Sequence, residues 1–132
     1  LDLCGQGNGV KAGLILFGHG SREARWAEPF ERLAARLRAR APAALVRLAF
    51  LEQMAPDLQA AASDLISAGA TSIAVVPVFL GQGGHVRRDL PLLVEALRER
   101  HPTVAFRCVA AVGEDDAVIE ALADYCLRDL GT

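Results

Sequence analysis

Ile73-Ala74-Val75-Val76-Pro77-Val78-Phe79-Leu80-Gly81-Gln82-Gly83-Gly84-His85 is the stretch that decides the architecture. Its first eight residues are apolar throughout and end in a glycine-rich turn, the pattern of a parallel strand covered on both faces. Leu14-Ile15-Leu16-Phe17 followed by Gly18-His19-Gly20-Ser21-Arg22 repeats that layout. Each run delivers a histidine just after a buried strand. Two metal ligands or bases are therefore expected on one rim of an α/β sheet.

Outward from these two runs, strand and helix signals alternate. Strands are expected at 13–18, 44–51, 72–80 and 103–111. The segments between them carry helical spacing: Phe30, Leu33 and Leu37, then Leu58, Ala62 and Leu65, then Leu90, Leu93, Val94 and Leu97, and last Val118, Leu122 and Tyr125. These stripes read as core. Pro29, Pro56 and Pro91 suit first helical turns, Gly69 suits the position after a helix end, and Asp89 and Asp115 or Asp116 suit N-caps. The expected fold is an α/β domain with a four-stranded parallel doubly wound sheet in the order 2-1-3-4. In that order strands 1 and 3 are neighbours whose following loops diverge to opposite faces and open a crevice at the carboxyl edge. His19 and His85 would face each other across it.

The 132 residues, 52% hydrophobic and 23% charged, bury one core and are too few for two ordinary domains. Residues 1–12, glycine-rich and polar, read as a flexible leader or trimmed end, and 13–132 as a single domain. A net charge of −2 with no basic stripe gives no reason to expect a nucleic-acid partner. No apolar run reaches the roughly 20 residues of a membrane span, and no signal-type segment opens the chain, so no membrane is expected and the cytoplasm fits. Cys4, Cys108 and Cys126 form neither a C-x-x-C pair nor an even set; two buried thiols and one loose terminal thiol are expected.

An unprotonated imidazole offers a lone pair to a transition metal and otherwise takes a proton. Two such groups across a crevice grip an ion while leaving positions open, which permits ligand exchange. Glu52, directly after strand 2, is a third oxygen ligand, a proton acceptor or a solvated carboxylate. His101, at a helix end, reads as a dipole partner on the opposite rim. Gly18, Gly20, Gly83 and Gly84 permit positive φ and a close backbone approach to a flat ligand. Ser21 reads as a ligand contact or, preferably, a local turn or cap. One of Arg22, Arg87 and Arg88 is expected to hold an anionic substituent. The third glycine of a dinucleotide fingerprint is replaced by Glu23, and the G-x-S-x-G elbow is absent around Ser21. A phosphate-accepting histidine after strand 1 stays open as an alternative enzyme.

By these motifs the chain resembles the small class II chelatases of the CbiX and SirB type, which insert a divalent metal into sirohydrochlorin. The resemblance rests on Leu16-Phe17-Gly18-His19-Gly20-Ser21-Arg22, on Ala49-Phe50-Leu51-Glu52 with Pro56, on Val76 to His85 with Asp89-Leu90-Pro91, and more loosely on Val112-Gly113-Glu114-Asp115. It implies that His19 and His85 bind the incoming Co2+, Fe2+ or Ni2+ and assist removal of pyrrole protons; in the mechanism we expect on that basis, Glu52 or His85 accepts the proton. Gly18, Gly20, Ser21, Arg22, Gly83, Gly84 and Arg87 would hold the tetrapyrrole. The metal is a substrate, and no permanently bound cofactor is implied. The length of one half of the fused members implies a homodimer enclosing the tetrapyrrole, with Trp26, Arg22 and the 81–88 loop at the interface. A carrier of metal or tetrapyrrole without insertion is the non-enzymatic alternative.

Overall fold

The computed structural model describes residues 11–131. Four strands, β1 (Ala12–Gly18), β2 (Leu45–Phe50), β3 (Ser72–Pro77) and β4 (Ala105–Cys108), alternate with four helices, α1 (Glu28–Arg40), α2 (Leu58–Ser67), α3 (Gly84–Arg100) and α4 (Asp116–Leu127). The sheet order is β2-β1-β3-β4 and every pairing is parallel, as expected. Ile15 faces Val75 across the central pair, and Leu16 faces Val76.

Alternation sorts the strand residues onto two faces. On one face, Ile15, Phe17, Ala49, Ile73, Val75 and Phe106 pack against Leu58, Ala61, Ala62 and Leu65 of α2 and Val86, Leu90, Val94 and Leu97 of α3. Full burial of a side chain such as Leu65 stabilises by about 1.5–3 kcal/mol, so this face carries most of the core. On the other face, Leu16 and Val46 pack against Ala34 of α1. Toward the carboxyl end Ala27, Phe30 and Phe50 close this layer. Trp26 lies across Phe30 with ring centroids 5.0 Å apart. Since α1 and α3 lie on opposite faces, the β1 and β3 exits diverge and create the crevice.

Several boundaries differ from the sequence expectation. Leu45–Phe50 is close to the expected 44–51, but β3 stops at Pro77 and β4 holds only four residues. Beyond Pro77 the chain follows the end of β1 for one further bond, Val78 N–H to the Phe17 carbonyl at 2.8 Å, and then turns away. Ala12 already belongs to β1, and the Lys11 carbonyl accepts the Thr71 N–H at 2.9 Å. The rest of the expected leader, residues 1–10, lies outside the described residues together with Cys4. Helix α3 begins at Gly84 with Gly83 as N-cap, not at Asp89, so Pro91 sits inside it. Pro56 precedes the α2 N-cap, Asp57, whose carboxylate accepts the Ala60 N–H at 2.9 Å. Pro29 and Asp115 occupy the expected places, and Gly69 stands at φ +106 just past α2.

Two burial expectations are overturned. Helix α4 buries none of its residues: Leu122 is 38% and Tyr125 65% exposed. Cys108 and Cys126 are exposed free thiols. Although Cys108 is exposed as a residue, it lines a groove beside α3. Desolvation there pushes the thiol up, with the Arg98 guanidinium partly opposing. No described helix is long and apolar enough to cross a membrane.

Candidate metal-insertion site

The candidate residues sit on loops leaving the carboxyl ends of β1, β2 and β3. The first two loops are laced by backbone bonds, Leu51 N–H to the Gly18 carbonyl at 2.9 Å and Glu52 N–H to the His19 carbonyl at 3.2 Å. Gly20 makes the lacing possible. Its φ is +100, and a Cβ there would stand 1.8 Å from the Glu52 carbonyl oxygen. Gly18 answers a different need, because a Cβ there would lie 2.6 Å from the Phe30 ring. Of the four glycines expected to permit positive φ, Gly20 alone adopts it. Gly83 takes φ −70 as a helix N-cap, and nothing lies within 4 Å of where a Cβ at Gly83 or Gly84 would be, so that edge is open.

The laced loops bring His19 and Glu52 together, with Nε2 3.7 Å from Oε2 and both side chains about half exposed. The His19 ring stands edge-on to Phe79 with centroids 6.2 Å apart, and Phe79 packs in turn on Phe17. The strand that buries Phe17 thereby orients the imidazole. His85 occupies the first turn of α3, not a loop, and its Nε2 lies 3.2 Å from Oδ2 of Asp89 one turn later. Each histidine thus has its own carboxylate. No cluster of three or more His, Cys, Asp or Glu among the described residues is disposed to hold a metal, so each pair supplies at most two donors to an ion.

Around this centre, Arg22 donates from Nε to Oε1 of Gln53 at 3.1 Å, which ties the two loops together again. Gln53 has φ +66, a conformation L side chains seldom adopt. The Ser21 hydroxyl accepts the Glu23 N–H at 3.1 Å and acts as a local turn residue. Arg87 reaches back weakly to the Gln82 carbonyl at 3.5 Å, and Arg88 is exposed. Beside Asp89 an apolar cleft of about 410 Å³ opens between α2 and α3, walled by Leu51, Leu58, Leu92 and Leu93. His101 lies elsewhere, at the C-cap of α3, where its N–H donates to the Leu97 carbonyl.

The sequence reading did not place Phe79 or Asp89 in the site. The signal for Asp89 was its i+4 distance from His85, which counts only once the helix is known to start at Gly84. Phe79 falls within the expected strand 72–80, and its apolar side chain gives no sign of a role at the rim.

The profile of the CbiX family matches residues 13–128, which includes all of these loops. The chain belongs to the CbiX family. It is 31% identical to the sirohydrochlorin cobaltochelatase of Sulfolobus acidocaldarius over 89% of this chain and 92% of that one. Against the sirohydrochlorin ferrochelatase of Bacillus subtilis identity is 26% over 92% of this chain but 46% of the relative's length. Two methanogen cobaltochelatases are matched over 65% and 62% of their lengths, so several curated relatives extend well beyond the match. Among solved structures, a CbiX protein from Marinobacter aquaeolei VT8, described as a putative cobalamin biosynthesis protein, superposes with a TM-score of 0.80 at 31% identity. That match covers 91% of this chain and 98% of the other. The Bacillus subtilis SirB structure with Fe3+ gives 0.78 at 26% identity over 93% of this chain and 48% of its own. This CbiX-family domain therefore matches some relatives almost whole and others as about half.

Proposed function

We propose that this domain inserts a divalent metal, Co2+ or Fe2+ with Ni2+ as a further candidate, into sirohydrochlorin, and does so as a homodimer. The observation that carries the reading is two imidazole–carboxylate pairs at the carboxyl end of the sheet, His19 with Glu52 across the loops after β1 and β2, and His85 with Asp89 in the first turns of α3. The names of the relatives, sirohydrochlorin cobaltochelatase and ferrochelatase, supply the substrate.

Such pairs suit delivery better than storage. With metal–ligand bonds of about 2.1 Å, two donors sharing an ion stand roughly 3–3.7 Å apart, the range of both pairs. An ion held by so few protein donors keeps water on its other positions. Ligands then exchange stepwise from imidazole and water to pyrrole nitrogens. Each pyrrole nitrogen that still carries hydrogen must lose it before it presents a lone pair in the ring plane. Glu52 or His85 accepts that proton. Where the carboxylate holds an imidazole N–H, it fixes the tautomer and raises the basicity of the other ring nitrogen.

Gly83 and Gly84 admit a flat macrocycle at the open edge, Gly18 and Gly20 shape the opposite lip, and Ser21 holds its turn. Arg22 and Arg87 have N–H groups left for anionic substituents. A second copy supplies the other wall, with Trp26, Arg22 and the 81–88 loop in reach. Exposed free thiols suit a reducing cytoplasm. The test is spectrophotometric: protein, sirohydrochlorin and Co2+ or Fe2+ are mixed and the rate is compared with spontaneous insertion. Acceleration lost in the His19→Ala/His85→Ala double variant supports the reading. Metal or tetrapyrrole binding without acceleration makes the domain a carrier.

A further inference from the structure

Gln53 is, among the described residues, the one non-glycine held at positive φ, +66. An L side chain is strained there and glycine is not. The strain falls on the loop that carries Glu52, between β2 and α2, whose base is closed by the Phe50 N–H donating to the Pro56 carbonyl at 2.9 Å. Strain kept at such a position points to a task for the side chain. That side chain accepts the Arg22 Nε–H at 3.1 Å. Consecutive residues of one loop therefore meet two residues of the other, Glu52 with His19 at 3.7 Å and Gln53 with Arg22. A shift of Gln53 carries Glu52 with it.

The tie is weak by itself. Arg22 and Gln53 are both exposed, and a bond from an exposed guanidinium to a neutral amide competes with water. The Glu52 N–H reaches the His19 carbonyl at 3.2 Å against 2.9 Å for the neighbouring Leu51 to Gly18 bond, so the lacing slackens toward Gln53. Nε is only one part of the guanidinium, and the Nη pair at its outer end has the fork geometry that takes a carboxylate through two parallel bonds. Sirohydrochlorin carries such carboxylates as acetate and propionate arms around its rim. A carboxylate on the Nη pair fixes the Arg22 side chain, and a fixed Arg22 holds Gln53 at a smaller entropic cost.

We propose that Gln53 is a positioning residue that couples capture of a substrate carboxylate by Arg22 to the placement of Glu52 against His19. The Glu52 carboxylate is then firmly in place only when the macrocycle has arrived. This deepens the functional reading above, on which the identity of the arm rests. Gln53 acts through Arg22 and Glu52 and not on the reacting atoms. Coupling is reciprocal, so the side chain that steadies Glu52 in response to the arm also strengthens binding of the arm.

The decisive variant is Gln53→Gly, which suits the positive φ and removes the amide. Its stability in denaturant should equal or exceed that of wild type, while single-turnover insertion of Co2+ at saturating sirohydrochlorin should fall about tenfold. By reciprocity, metal-free sirohydrochlorin titrated into it and followed by absorbance should bind about threefold more weakly. Gln53→Asn tolerates positive φ but is one methylene too short for Arg22; it should match the glycine variant, and it takes its place if that variant folds poorly. Gln53→Glu keeps an acceptor at full reach and should restore insertion to within about threefold of wild type. Arg22→Lys keeps a cation for the arm but lacks the Nε donor and the fork, so it should also slow insertion about tenfold. Combined with Gln53→Gly it should cost no more than about a further twofold, because both changes break one link. A turn with no role beyond its shape gives the opposite result, a Gln53→Gly chain that is stable and fully active. Wild-type insertion in the glycine or asparagine variant, no recovery in Gln53→Glu, or losses that multiply in the double variant overturn the inference. A wild type that binds sirohydrochlorin without accelerating insertion overturns the functional reading alone. The coupling is then judged by the titration, where equal affinities of wild type and Gln53→Gly overturn it. A wild type that does not bind sirohydrochlorin overturns both.

Discussion

Replacing Gly20 by alanine tests the link between backbone geometry and chemistry at the rim. The new Cβ would begin 1.8 Å from the Glu52 carbonyl oxygen, at φ +100. Ordinary van der Waals contact needs about 3.4 Å or more, so the loops must part by roughly 1.5 Å or the φ must change. The conformational penalty alone is about 1–2 kcal/mol, and with the clash the loss of stability should be about 1–3 kcal/mol. The loop that gives way carries Glu52, whose partner His19 lies on the opposite side of the same lacing. A misplacement of that size is expected to lower insertion about 100-fold. Denaturant unfolding measures the first quantity and single-turnover insertion the second. Gly81→Ala is the control, because nothing lies within 4 Å of its Cβ position; its stability should stay the same or rise by up to about 1 kcal/mol. If Gly20→Ala keeps both wild-type stability and wild-type insertion, the close approach of the two loops does not exist in solution and the reasoning fails.

Glu52→Gln keeps the size of the side chain but removes the base, so single-turnover insertion should slow by tenfold or more while calorimetric metal affinity changes less; a loss confined to affinity would make Glu52 a ligand. His19→Ala and His85→Ala should each remove most insertion and leave the melting temperature within a degree or two, because both rings are at least half exposed; wild-type rates in the double variant would dismiss the site. Proton and metal compete for one imidazole lone pair, so calorimetric metal affinity should weaken on acidification, and an affinity independent of pH would contradict histidine ligation. Asp57→Ala removes the carboxylate that accepts the Ala60 N–H at the start of α2 and should cost about 1 kcal/mol in denaturant unfolding.

The sheet is legible in the sequence because its message is local. Runs such as Leu14 to Phe17 and Ile73 to Val78 are apolar on both alternating faces, and that suits interior parallel strands. With these two runs, two further strand signals and helical segments between them, chain crossover rules leave few orders, and β2-β1-β3-β4 places His19 and His85 on one rim. The helix start at Gly84 was not legible. Asp89 is a good N-cap by residue type, whereas the chain uses Gly83, and that shift of six residues moves His85 onto a helix and turns Asp89 into its partner. Nor did composition show why Gly18 and Gly20 are needed, since Phe30 and the Glu52 carbonyl are distant in sequence and meet them only when loops from different strands converge. The stripe on α4 marks the limit most clearly. Val118, Leu122 and Tyr125 record that a helix face seeks burial, and their spacing is a property of the chain alone. What that face meets depends on where the turn at Gly113, whose N–H donates to the Phe79 carbonyl, aims the helix, and apolar periodicity carries no information about direction in space.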